Sequence, residues 1–114
     1  METIQAAATT VSAISKQLTL PNGAIGSYWK ITRVALDLTN MDATYSISIF
    51  VDKLHADSNL GLGLNKTFTF AFLGTDVTGD MITFGYNSIL AFANAINPIT
   101  LTVNDPDLAG GTTL

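Results

Sequence analysis

The sequence predicts a mainly β protein, a small antiparallel β-sandwich or barrel-like sheet with one short C-terminal α-helix. Three observations predict it. Residues 28–52 alternate apolar and polar side chains over two long runs separated by a turn, the pattern of a hairpin. Residues 66–73 place Phe68, Phe70 and Phe72 on one face and Thr67, Thr69 and Ala71 on the other. Near residue 89 the period changes, because Ile89, Phe92, Ala93 and Ile96 fall at i, i+3, i+4 and i+7. The chain has 114 residues, which suits one domain with a single core.

The elements follow in order. Residues 1–12 are small, Thr- and Ala-rich and weakly patterned, and read as an extended N-terminal arm. Residues 16–20 alternate, and Pro21-Asn22-Gly23 is a turn in which Pro fixes φ and Asn-Gly tolerates positive φ. On the first strand of the main hairpin Trp29 and Ile31 share one face, whereas Val34, Leu36 and Leu38 share the other. A β-bulge near Thr32-Arg33 reconciles the two sets. Thr39 to Asp42 is the turn, and Tyr45, Ile47, Ile49 and Val51 alternate along the return strand. Residues 53–65 read as a loop. The helix is expected over 87–96, with Asn87 as N-cap and Asn97-Pro98 as stop, its apolar stripe laid against the Phe68/Phe70/Phe72 wall. Residues 99–103 read as a short last strand, which closes the domain at 13–103, and 104–114 as a mobile tail. The expected core is Trp29, Ile31, Leu36, Ile47, Ile49, Phe68, Phe70, Phe72, Ile89 and Phe92.

Composition narrows the function classes. Hydrophobic residues make up 47% and charged residues 12%, about half the usual charged share near 25%. Sixteen Thr and eight Asn supply neutral polarity instead. A freely soluble monomer normally carries more surface charge, so much of this surface is expected to face other protein. The net charge is −4 with one Arg and four Lys, which argues against nucleic-acid partners and against an anionic membrane. There is no cysteine, hence no disulfide or thiolate metal site. The first residues lack a basic region followed by an apolar run, so no secretory signal is expected. No stretch approaches a membrane span.

No catalytic constellation is expected. His55 is the single histidine, and Asp52, Asp57 and Ser58 stand too close in sequence to converge with it on one substrate atom. Asp76 with Asp80 and Asp105 with Asp107 lie in turns, where Asp serves its own hydrogen bonding, and the spacing is not that of a calcium loop. Gly61-Leu62-Gly63 lacks the remainder of a phosphate loop. Neither a cofactor nor a metal is implied. Tyr28 and Trp29, beside a Gly-Ser turn, read as anchors of the sheet or of a subunit contact ahead of a carbohydrate-stacking platform. With Arg33 and, in the arm, Ile4 they are the candidate interface residues.

The order of elements resembles small proteins encoded among the structural genes of tailed bacteriophages. The matching pieces are Gly26-Ser27-Tyr28-Trp29-Lys30-Ile31, then Val34-Ala35-Leu36-Asp37, then Phe50-Val51-Asp52-Lys53, an aromatic strand, a short helix and a tail containing Asp107-Leu108-Ala109-Gly110. The resemblance runs from about residue 17 onwards. It implies a non-enzymatic virion component of the tail, baseplate or fibre-attachment region. Such a protein is assembled in the host cytoplasm and present in several copies, with itself and other virion proteins as partners. A capsid decoration protein and a carbohydrate- or receptor-binding module are the alternatives. In this reading, deletion of residues 1–12 leaves a folded domain that fails to assemble.

Overall fold

The computed structural model of the chain describes residues 11–72 and 81–114. Among these residues five strands form one antiparallel sheet. They are β1 (Ile14–Thr19), β2 (Ile25–Asp37), β3 (Asp42–Phe50), β4 (Asn65–Ala71) and β5 (Thr112–Thr113), in the order β4-β3-β2-β1-β5. Two helices accompany them among the described residues, α1 (Lys53–Asp57) and α2 (Met81–Asn94). The mainly β, antiparallel class expected from the sequence is the observed one. Its second layer is the helix α2.

Local chemistry explains the turns. Between β1 and β2 the Gly23 N–H reaches the Leu20 carbonyl at 2.9 Å, with Pro21 and Asn22 at the bend. Gly23 has φ +88°, a value glycine adopts without steric cost. Between β2 and β3 the Asp37 carboxylate accepts from the Thr39 and Asn40 N–H groups, both at 3.0 Å. Those two bonds and the Asn40 side-chain bond hold the Asp37 carboxyl below its ordinary pKa.

The central hairpin contains the expected bulge. The β2–β3 register shifts between Ile31 and Arg33, leaving Thr32 unpaired. Without the extra residue Arg33 would follow Trp29 and Ile31 onto the core face. With it, Arg33 turns to the opposite face and Val34 packs against the core. A second shift, between Ser15 and Leu18 of β1, lies where the Lys16 carbonyl accepts the Trp29 indole N–H at 2.9 Å. That bond satisfies the polar end of a fully buried tryptophan.

The core lies between one sheet face and α2. Trp29, Ile31, Ala43, Tyr45, Ile47 and Ile49 from the sheet meet Tyr86, Ile89, Leu90 and Ala93 from the helix. Each large side chain removed from water in this layer contributes about 1.5–3 kcal/mol. Gly85 allows the close approach, because a Cβ there would stand 2.7 Å from Tyr45 Cδ1. The Tyr45 hydroxyl donates to the Met81 carbonyl at 2.8 Å, fixing the first turn of α2.

Several expectations are corrected. The helix starts at Met81, so Asn87 is an interior residue rather than the cap, and the apolar stretch at Met81, Ile82 and Phe84 is its first turn. Its buried stripe is Gly85, Tyr86, Ile89, Leu90 and Ala93. Phe92 lies off that stripe and is 43% exposed, although its ring meets Phe68 and Phe70 edge-on at 5.8 and 6.4 Å. Leu36 is 45% exposed, because the hairpin extends past the cover of the helix. Residues 53–57 are helical, with Asp52 as N-cap.

Residues 99–103 are not a strand. The Asn97 side chain accepts from the Ile99 N–H at 2.8 Å, Leu101 has φ +61°, and a single bridge joins Ile96 to Val103. The segment is therefore a tight turn. Residues 104–114 are packed rather than loose. Asn104 and Asp105 donate to the Ala95 and Ala93 carbonyls at the end of α2, where a helix leaves acceptors without intrahelical partners. Leu108 is fully buried, and β5 pairs with β1. Of the expected arm, Val11 sits in the core cluster and Ser12 bonds to Leu114. Residues 1–10, and Ile4 among them, lie outside the described residues, as do Asp76 and Asp80.

Candidate assembly interface

Among the described residues the sheet leaves three surfaces uncovered: the part of its second face that α1 does not cover, one edge and one turn. The second face follows from the pleat. Opposite the core residues, β3 presents Thr44 and Ser46, and β4 presents Asn65, Thr67 and Thr69, whereas Ser48 and Phe50 farther along β3 are buried beside α1. Thr44 and Thr69 share a hydroxyl hydrogen bond of 2.9 Å, and the Ser48 hydroxyl donates to the Asn65 side chain. Arg33 stands in register with Ser46, which pairs with Thr67. Arg33, Ala35, Thr44, Ser46 and Thr67 line a shallow depression of about 360 Å³. Arg33 is exposed and forms no ion pair with any described residue.

The edge is β4. The Phe72 N–H bonds to the Met41 carbonyl, and the Ile49 N–H to the Leu64 carbonyl. These bonds fix which residues face β3. In an antiparallel ladder the paired residues alternate, so Lys66, Phe68 and Phe70 point their main-chain groups at β3. Asn65, Thr67, Thr69 and Ala71 point theirs outward. Among the described residues no main chain occupies that side. Four N–H and four C=O groups therefore form an open template, a feature that natural sheets usually cover, shorten or charge.

The charge on β4 is already compensated. Lys66, its single charged residue, lies on the core-side face and contacts Asp105 at 3.2 Å and Asp107 at 3.1 Å. Burial alone pulls the Lys66 pKa down. The hydrogen bonds and charges of Asp107 and Asp105 outweigh it and leave the ammonium above its ordinary value. The same contacts dock the C-terminal segment onto the sheet.

The third surface is the turn at 96–103. Ile96 is 59%, Ile99 89% and Leu101 75% exposed, and the turn contains no charged residue. It is rooted beside β4, since Phe92 packs on Phe68 and Phe70 and its carbonyl accepts from the Asn104 side chain at 3.0 Å.

The residues singled out in the sequence divide among these surfaces. Trp29 is fully buried with its indole N–H satisfied, so it is a core residue and not a contact or stacking surface. Tyr28 is half-buried beside Phe50, its partner across the strands. Arg33 is on the open face. The β4 edge and the 96–103 turn were not singled out; an edge depends on strand order, which local periodicity does not encode.

The groups that carry chemistry elsewhere have local duties. Asp52 caps α1 by accepting the His55 N–H at 2.9 Å, and its oxygen lies 2.6 Å from His55 Nδ1. The side-chain bond to His55 is the main reason the Asp52 carboxyl sits below its ordinary range. Both groups are solvent-exposed. Among the described residues no three His, Asp or Glu side chains gather as a metal site. No helix among them is long and apolar enough to cross a membrane. Comparison of the chain with family models, with curated proteins and with solved structures gives no match.

Proposed function

We propose that this chain is a structural subunit of a bacteriophage virion, from the tail, baseplate or fibre-attachment region, that works by assembling in several copies. The observation behind this reading is the open β4 edge, flanked on one side by a Ser/Thr-rich face whose exposed charge includes Arg33 and on the other by an apolar turn. Such an edge offers main-chain hydrogen bonds to an added strand. Neutral hydroxyls can be buried against a partner with far less desolvation cost than charges. The low charge of the chain fits a surface destined for burial. The virion assignment itself rests on the resemblance of residues 17–114 to proteins encoded near tail genes.

The carbohydrate-binding alternative loses its anchor, since Trp29 is enclosed by the core. The assignment is tested by peptide mass spectrometry of purified particles of the phage that encodes the chain, together with immunogold labelling. Peptides from the particle, with gold at the tail, support it. Gold spread over the head supports a decoration protein instead. Absence from the particle removes the virion reading.

A further inference from the structure

We propose that the partner of the β4 edge is the β4 edge of a second copy, joined antiparallel about a two-fold axis at Phe68. The proposal rests on the assembly reading above and specifies its partner and register.

The register follows from the hydrogen-bonding pattern. The outward residues are Asn65, Thr67, Thr69 and Ala71. An antiparallel pair with Thr67 opposite Thr69 of the second copy also sets Asn65 opposite its Ala71. Every outward N–H and C=O then finds a partner, and the two sheets become one. A shift by one residue would bring inward-facing groups to the seam and leave the outward ones unpaired.

The side chains agree with that register on both faces. On the open face the Thr44–Thr69 hydroxyl bond would continue into Thr67 of the second copy, extending a row of cross-strand threonine contacts. On the helix-bearing face the Phe68 rings would meet across the axis, each already packed against Phe70 and Phe92 of its own chain. Lys66 brings no uncompensated charge to the seam, because Asp105 and Asp107 hold it.

Area favours a second copy as well. Phe92, Ile96, Ile99 and Leu101 together expose on the order of 500 Å², the size of the larger apolar patches on monomers, which are often functional. Two such patches, if fully covered by each other beside the joined edges, would remove about 1,000 Å² from water, the area a specific interface needs to clear, before the strands are counted. The self-complementary strand supplies direction, and the turn supplies apolar area.

The chain contains no cysteine, so single thiols can be introduced cleanly. Thr67→Cys and Thr69→Cys are made separately, mixed at equal amounts and oxidised with copper phenanthroline. Each pair of thiols loses two protons to the buffer and two electrons to the copper(II) oxidant and forms one disulfide. The mixture is expected to give a covalent dimer within the ~5.5 Å spacing of a hydrogen-bonded pair. Each variant alone is expected to give none, because its own copies are offset by two residues and exceed the ~7 Å Cα limit for a disulfide. Thr69→Pro, which removes an outward N–H without touching the β3 ladder, is expected to lower the oligomeric mass while its circular dichroism stays native. Ile99→Asp with Leu101→Asp is expected to raise the dissociation constant at least tenfold. A native-like Thr69→Pro oligomer of unchanged mass, cross-linking of Thr67→Cys alone, or an unchanged dissociation constant overturns the β4 two-fold while leaving assembly intact. A monomeric parent chain overturns assembly itself.

Discussion

The main-chain N–H of Ile31 donates a 2.7 Å hydrogen bond to the hydroxyl of Tyr86. It joins α2 to the strand at the point where the bulge disturbs the ladder, and both residues are buried. Tyr86→Phe leaves the N–H without a partner in a dry site. We expect a loss of about 1–3 kcal/mol in denaturant unfolding, with the sheet signal retained.

The same tyrosine sets an alkaline limit. Burial pushes the Tyr86 hydroxyl above its ordinary pKa of 10.0, against the opposing effect of the Ile31 hydrogen bond. The folded state therefore holds this proton more tightly than the unfolded chain. Its contribution to stability is complete below about pH 10 and is lost as pH rises through the raised folded value. Unfolding midpoints measured from pH 8 to 12 should fall above pH 10, and Tyr86→Phe should reduce that fall.

Gly85 is a packing requirement and not a weak point in the helix. At an ordinary interior helix site Gly→Ala gains about 1 kcal/mol. Here the added methyl enters the Tyr45 ring, and Tyr45 is fully buried with its hydroxyl bound to Met81. Gly85→Ala should instead destabilise by about 1–3 kcal/mol. A crystal structure of the variant should show α2 lifted from the sheet.

The C-terminal segment should behave as part of the core. Leu108→Ala should cost about 2–5 kcal/mol, and Lys66→Ala about 1–3 kcal/mol by leaving the largely buried Asp105 without its cation. In hydrogen exchange the Lys66 variant should lose protection first at Leu114, whose N–H bonds to Ala13 at 2.9 Å. Because Lys66 sits above its ordinary pKa of 10.5, the parent's advantage over this variant should persist to about pH 10.5 and shrink beyond it.

What the sequence showed and what it hid have physical causes. The hairpin, the bulge at Thr32 and the phenylalanine face were legible because each is a property of side-chain alternation. The contact of Phe92 with Phe68 and Phe70 was legible, but only at the margin of the layer, because the buried stripe of α2 runs through Tyr86, Ile89 and Ala93 and leaves Phe92 to one side. The start of α2 was hidden, because Met81, Ile82 and Phe84 do not continue the stripe at Ile89. Residues 99–103 alternate like a strand, yet no strand lies beside them, and the Asn97 side chain captures the local N–H groups instead. β5 is two residues long and is held by β1, nearly one hundred positions earlier. No window of local sequence contains that information. The edge position of β4 is hidden for the same reason, since it is defined by the strand order among the described residues.

The proposed function stands on association of this chain with copies of itself. The most direct test is the mass of the full-length chain, by sedimentation velocity and native mass spectrometry across a hundredfold range of concentration. A dimer or a larger even-numbered species that persists on dilution into the micromolar range is expected. A 12.0 kDa monomer at every concentration would contradict it.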